Sequence, residues 1–247
     1  YMIDGKDLSF AGRRVLITGA ASGIGAAMAA AFAAHDAQVV LADRHPGALE
    51  TVAAPIGAEW HVYDQADLGS IAALAAAAGA VDVLMNNAGM LAVGPLAEQD
   101  PEVIRDVITV DLIGPMVLAR HIAPGMIARG GGVIVNTASQ LAFCGGEGRA
   151  AYAAAKAGIV QFTRSAAAEW ARHGVRVAAL APGRTLTPMT GDLLATEEQR
   201  TAGLAHIPAG RYGHPAEMAK LALFLASPIA DYVVGATLIA DGGYVVA

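Results

Sequence analysis

Short apolar runs alternate along the chain with alanine-rich or mixed stretches of helical character. The runs at 13–18, 37–42, 58–63, 81–85, 133–138, 175–180 and 236–240 read as buried strands. Between them, helices are predicted at about 24–34, within 46–54, at 68–78, from Pro101 through a long stretch that contains Pro115, from the Tyr152 region to about His173, and at 215–226. Asp67 is placed to cap the third of these. Strands that alternate with helices imply an α/β fold, a parallel sheet with helices on both faces. No Pro/Ser-rich linker or repeat interrupts the 247 residues, so a single domain is expected, with 184–209 as a lid over a strand's carboxyl end.

Ligands bind such sheets at the carboxyl ends of the strands. The polar clusters of this chain fall at those ends. Gly19, Gly23 and Gly25 follow the first strand in a G-x-x-x-G-x-G spacing and open the first helix. Residues without Cβ let backbone N–H groups approach a pyrophosphate at a helix N-terminus. Asp43 ends the second strand, where a carboxylate accepts from ribose hydroxyls and repels a 2′-phosphate, which favours NAD over NADP. Arg44 beside it is suited to stack on adenine or to pair with a phosphate. Asp64, the segment Asn86-Asn87-Ala88-Gly89, Ser139 and the segment from Pro182-Gly183 to Thr187 occupy further strand ends.

The stretch from Ser139 to Lys156 carries the candidate chemistry. Tyr152 and Lys156, four apart in an alanine-rich run, share one helix face. A phenol titrates near 10, and a neighbouring ammonium is expected to lower that value, making the pair an acid/base device. Ser139 ends a buried strand, and the glycine-rich loop after it lets the hydroxyl approach Tyr152. Upstream, Pro115 lacks an N–H, so the Asp111 carbonyl is expected to lose its helical donor and to hold a water instead.

Composition narrows the function classes. A net charge of −6 argues against a nucleic-acid footprint. No apolar run reaches the ~18 residues of a membrane span, and no secretory leader is expected. Cys144 stands alone, which excludes an intrachain disulfide and suits a cytoplasmic protein. No His/Cys spacing suggests a metal.

These residues resemble the classical short-chain dehydrogenase/reductase family over nearly the whole chain. The motifs are Thr18-GAASGIG, NNAG at 86–89, Ser139 with Tyr152-x-x-x-Lys156, Pro182-Gly183 with Thr187, and Asp241-Gly242-Gly243. The resemblance implies a Rossmann-type, doubly wound parallel sheet of seven strands in a homotetramer, and NAD as cofactor. Tyr152 would be the acid/base, Ser139 would polarise the substrate oxygen, and Lys156 would hold the nicotinamide ribose. The cofactor would lie along Gly19, Ser22, Gly23, Ile24 and Gly25, with Asp43 and Arg44 at the ribose and Asp64 and Gln65 at the adenine. Asn87, Ala88 and Gly89 would follow, with Tyr152, Lys156, Pro182, Gly183, Thr185 and Thr187 toward the nicotinamide. Two positions depart from the family: Asp111 stands where Asn is usual in the relay, and Ala178 where Asn is frequent.

The expected activity is hydride transfer between a secondary alcohol, with polyols and sugars as candidates, or its ketone and nicotinamide. The substrate would meet Ser139, Gln140, Leu141, Glu147, Arg149, Tyr152, His206 and the 90–96 loop. An NADPH-dependent 3-oxoacyl thioester reductase is the alternative, weakened by Ser22 where a basic residue is frequent. A cofactor-binding regulatory protein without catalysis would not need Ser139, Tyr152 and Lys156 together.

Overall fold

The protein is described here by a computed structural model covering residues 8–191 and 195–247. Seven strands form one parallel sheet: β1 (Arg14–Thr18), β2 (Gln38–Asp43), β3 (Glu59–Val62), β4 (Val83–Asn86), β5 (Gly132–Thr137), β6 (Val175–Pro182) and β7 (Thr237–Ala240). Their order is β3-β2-β1-β4-β5-β6-β7, so the chain winds outward from β1 in one direction and then reverses to build the other half. The reversal leaves a crevice outside the carboxyl ends of β1 and β4, the switch point of a Rossmann-type sheet.

Alternation of side chains sorts the core into two layers. Val15, Ile17, Leu41, Val83, Met85 and Val135 face α1 (Gly23–Ala33), α2 (Pro46–Ala53) and α8 (Pro215–Ala226). Leu16, Val40, Leu84, Ile134 and Val177 face α3 (Leu68–Ala77), α5 (Gly114–Ala128) and α6 (Ala150–Trp170). Both faces are apolar, which explains why the strands read as continuous hydrophobic runs. Alanine at most helix positions keeps the helices close to the sheet and to one another. Asp67 caps α3 through Gly69 N–H at 2.8 Å, as expected.

α4 (Pro101–Ile108) does not run straight into α5. Residues Thr109–Ile113 form a π-helical turn in which the Gly114 N–H donates to the Thr109 carbonyl. Widening the helix ahead of Pro115 accommodates the missing N–H without breaking the rod. The carbonyl that takes an outside donor is that of Val110, bonded by the Gln65 amide, one residue before the position expected from Pro115.

β6 carries one charge into the core. Arg176, buried, donates to the carbonyls of Leu225 and Ser227 (the latter at 3.0 Å) and so closes the C-terminal end of α8. Its carboxylate neighbour Asp231, at 3.9 Å, is exposed. The two carbonyls, rather than the ion pair, should carry the energy. Arg176→Met should lower the thermal midpoint by about 4–8 °C, from roughly 2 kcal/mol of lost carbonyl pairing. Asp231→Asn should move it by less than about 2 °C. Calorimetry of the two variants checks the ordering.

Candidate functional site

The strand ends are tied together by one hydroxyl. Thr18, fully buried at the end of β1, accepts from the Asn87 N–H at 3.0 Å and the Ala88 N–H at 3.1 Å. The Asn87 side chain returns the tie by donating to the Thr18 carbonyl at 3.0 Å and the Gly19 carbonyl at 3.3 Å. Asn87 therefore shapes the glycine loop with its amide, and only its backbone is left to face a ligand. A Cβ on Gly25 would sit 2.1 Å from the Gly19 carbonyl, so this loop closes only with glycine there. Gly25 is packing and does not line the cavity.

Beyond the loop, α1 begins at Gly23 with Ser22 as its N-cap, and the Ser22 hydroxyl does not cap it. The helix start keeps backbone donors for an anion. Asp43 steadies the loop from the side: one oxygen accepts from the Ala21 N–H at 3.1 Å, and the other faces the His45 N–H at 3.2 Å and ring nitrogen at 3.0 Å.

These elements wall a cavity of about 580 Å³ along the carboxyl edge of the sheet. Asp43, Arg44 and Asp64 line it beyond β2 and β3. Ser22, Gly23, Ile24, Ala88 and Gly89 line its middle, faced by Thr185 and Thr187. Ser139, Gln140, Leu141, Glu147, Arg149 and Tyr152 line the far end, with Pro182, Gly183 and His206. The 90–96 loop contributes Met90 and Leu91. Gln65 also lines the cavity, and its side chain is engaged by the protein: its carbonyl accepts from Tyr63 Oη at 2.7 Å and its amide donates to the Ala88 and Val110 carbonyls.

The far end contains the candidate chemistry. β5 delivers Ser139, which caps the 3-10 turn Gln140–Ala142 by accepting from the Leu141 N–H at 3.2 Å. α6 presents Tyr152 and Lys156 on one face, and the Lys156 Nζ lies 5.6 Å from the centre of the Tyr152 ring. Lys156 is buried, donates to the Thr137 carbonyl at 3.0 Å and lies 3.8 Å from Asp111 Oδ1. The π turn brings Asp111 there, fully buried behind the cavity wall rather than in it. Asp111 Oδ1 accepts from the Met90 N–H at 2.9 Å, and Oδ2 has no protein partner. Gly89 makes this packing feasible, since a Cβ would stand 2.7 Å from Asp111 Oδ1 and 3.4 Å from Lys156 Nζ.

Electrostatics correct one expectation. Burial raises the Tyr152 phenol above its ordinary value, and Asp111 adds to the rise. Lys156 and a hydrogen bond with Ser139 pull the other way without reversing it. The Tyr-Lys spacing is as expected, but the low polarity around the ring outweighs the ammonium. Burial likewise raises the Asp111 carboxyl, against the pull of Lys156 and the Met90 N–H. Burial also pushes the Cys144 thiol up, in keeping with a filler residue.

Sequence reasoning missed several residues. Thr18 offered a signal, a hydroxyl at a strand end before glycine. Asn136 offered none: its amide donates to Thr163 Oγ1 at 2.9 Å and its carbonyl accepts from Asn86 at 3.0 Å, a buried chain visible only once β4, β5 and α6 are packed. Arg184 and Tyr244 meet at the far end only through the closure of β6 on β7.

Residues 19–245 match a sequence-family model described as enoyl-(acyl carrier protein) reductase. The cis-4-hydroxycyclohexanecarboxylate dehydrogenase of Sinomonas cyclohexanicum is 43% identical over 245 residues, covering 96% of this chain and 98% of that protein. The L-tagatose-forming galactitol 2-dehydrogenase of Cereibacter sphaeroides is 41% identical over 238 residues, covering 93% and 94%. A gluconate 5-dehydrogenase from Burkholderia cenocepacia, solved with NADP and tartrate, superposes with a TM-score of 0.93 at 34% identity, covering 98% of this chain and 99% of that one.

Asp111 generates a prediction about stability. Burial favours its neutral form, so the folded protein keeps a proton that the unfolded chain releases near the ordinary 3.8. Its contribution to stability therefore falls as pH rises from that value through the raised one. Relative to Asp111→Asn, the unaltered protein should lose thermal stability as pH rises above about 4. Thermal midpoints of both proteins across that range check it, since other carboxylates cancel in the difference. A relative gain with pH would mean that Lys156 outweighs burial.

Proposed function

Because this chain belongs to the classical short-chain dehydrogenase/reductase family of oxidoreductases, we propose that it is an NAD-dependent dehydrogenase of a secondary alcohol, or the reductase of the corresponding ketone. The observation that carries this reading is the convergence of Ser139, Tyr152 and buried Lys156 at the end of a cavity whose other end holds Asp43. The residues present suit a dinucleotide. The glycine loop leaves backbone donors at an uncapped helix start for a pyrophosphate, and Asp43 stands at the second strand's end to accept from ribose hydroxyls. When bound, the nicotinamide supplies the hydride acceptor or donor.

In the proposed mechanism, Ser139 Oγ and Tyr152 Oη hold the substrate oxygen between them. In oxidation Tyr152 takes the hydroxyl proton as the carbinol carbon gives up hydride, and in reduction it returns a proton to the forming hydroxyl. Lys156 favours the phenolate by its charge and binds the nicotinamide ribose. Asp111 holds the loop at Met90 and faces the ammonium, so it acts through Lys156 as a positioning residue. Thr185 and Thr187 would meet the carboxamide and phosphates; Thr185 Oγ1 also donates to the Gly183 carbonyl at 3.1 Å.

The segment 184–209 is proposed as a lid, with α7 (Glu197–Leu204) as its body. Residues 192–194 of that segment lie outside the described residues. A cytoplasmic homotetramer belongs to the same reading, and it is supported by exposed Val93, Leu96, Ile113 and Met116, apolar side chains that suit a contact between subunits. Among the described residues no helix is long and apolar enough to cross a membrane.

Two measurements test the reading. Tyr152→Phe should lower kcat by about 10²- to 10⁴-fold, the usual worth of positioned proton transfer, with NADH binding kept. Near-normal turnover would place the chemistry elsewhere. NAD⁺ should be preferred over NADP⁺ in kcat/KM, and Asp43→Ser should narrow the preference, with Arg44 left to meet a 2′-phosphate. The NADP-bound relative makes this comparison decisive, since equal or faster turnover with NADP⁺ in the unaltered protein would overturn the cofactor assignment.

A further inference from the structure

The far end of the cavity holds two arginines that the mechanism above does not use. Arg184 follows Pro182-Gly183 at the end of β6, is half-buried and lines the cavity wall. Among the described residues no carboxylate comes within ion-pair distance of it, and it shares this with Arg44 and Arg149 among the arginines that line the cavity. Its guanidinium carbon lies 5.8 Å from the centre of the Tyr244 ring. On its other side it rests against α7, where a Cβ on Gly203 would stand 2.6 Å from Arg184 Nη1.

The neighbours of Arg184 are themselves fixed. Asp241 spends both carboxylate oxygens on the C-terminal loop, accepting from the Gly243 and Val245 N–H groups at 2.9 Å each, and so sets the position of Tyr244. Asp241 stays a charged neighbour of this wall but makes no ion pair with Arg184. His206 meets the same ring edge-on at 6.3 Å. Arg149, across the cavity, also lacks an acid and donates to the Glu147 carbonyl at 2.8 Å.

Gln140 is 5% exposed and lines the same end, with its Oε1 turned out of solvent contact toward Gly183, where a Cβ would stand 2.7 Å from it. A guanidinium beside an aromatic ring, half out of water and without an anion, is suited to a carboxylate, which it can meet with two parallel hydrogen bonds. A neutral polyol would leave the charge of Arg184 unmatched.

We propose that the far end of the cavity is a carboxylate site, in which Arg184 binds the acid group of a hydroxy-carboxylate substrate. The proposal rests on the reading of this cavity as a dehydrogenase active site and names the substrate class within it. Arg149 lies in the same wall, with Glu147 beside it. Tyr244 and Gly203 are positioning residues, which act by holding the guanidinium in place.

Matched pairs of probes test it: gluconate against glucitol, and cis-4-hydroxycyclohexanecarboxylate against cis-4-methylcyclohexanol. Initial rates with NAD⁺ and NADP⁺ give KM for each, and calorimetric titration into the enzyme–NADH complex gives binding without turnover. The acid of at least one pair should show a KM or Kd lower than its neutral partner by about tenfold or more, as expected for a charge-assisted contact. That ratio should shrink as salt is raised. Arg184→Met removes the guanidinium while keeping an unbranched side chain, and should cut the acid-over-neutral ratio by about 10- to 100-fold. Arg184→Lys should fall between, and retained NADH affinity would show that both variants fold. Equal handling of acid and neutral partners, no binding of either acid, or an unchanged ratio in Arg184→Met overturns the carboxylate site. Failure of the dehydrogenase reading looks different: no NADH or NADPH is formed from any of the four probes, whatever the titrations show.

Discussion

A lysine ammonium removed from water must be matched by groups that the fold holds in place. Lys156 is 3% exposed, and its surroundings are assembled from four separate parts of the chain. β5 supplies the Thr137 carbonyl, α6 supplies the Tyr152 ring, the π turn supplies the Asp111 carboxylate, and Gly89 supplies the space between them. The last turn of β4, the widened helix before Pro115 and the start of α6 must therefore all lie in register for the cation to be buried. Asp111 in place of the usual amide gives this cluster a second charge. That carboxylate is itself pushed toward its neutral form by burial, so the cluster is tuned by two opposed effects rather than by one ion pair.

The rest of the cavity depends on how close backbones can come. Thr18 and Asn87 exchange hydrogen bonds across β1 and β4, and Gly25 sits almost on the Gly19 carbonyl. Closing the loop this way turns the start of α1 toward the crevice and leaves its donors unused by Ser22. Asp43 then braces the loop through the Ala21 N–H while it faces the adenosine end. One carboxylate thus joins the shape of the loop to the charge that a cofactor's ribose would meet in the proposed reading.

Much of this was legible in the sequence. Apolar runs located the seven strands to within a residue or two; the central strands are covered on both faces and carry few polar interruptions, whereas edge strand β3 is largely exposed and includes Glu59 and His61. The strand ends located Asp43, Ser139 and the glycine loop, because polar residues after buried runs have few other places to go. The i, i+4 spacing put Tyr152 and Lys156 on one face. Local pattern did not reveal what each side chain does when packed. Gln65 and Asn87 line the cavity, but their side chains bond to Val110 and to the Thr18 carbonyl, partners from distant segments that local pattern does not show. Pro115 pointed to a released carbonyl at Asp111, and the widened turn also offers the Val110 carbonyl to an outside donor. The direction of the Tyr152 shift was missed because spacing records the neighbouring charge but not the loss of water around the ring. Arg184 and Tyr244 could not be paired before β6 and β7 were seen side by side.

The central claim is that the Tyr152 phenol is held above its ordinary value by burial, and that a positive charge brought beside it is what makes it a base. The difference in tyrosinate absorbance between the unaltered protein and Tyr152→Phe, titrated with and without saturating NAD⁺, isolates this one phenol. In the protein alone it should ionise above the ordinary 10.0, and saturation with NAD⁺ should move the transition clearly downward. Ionisation at or below the ordinary value in the protein alone, with no change when NAD⁺ is added, would contradict the claim.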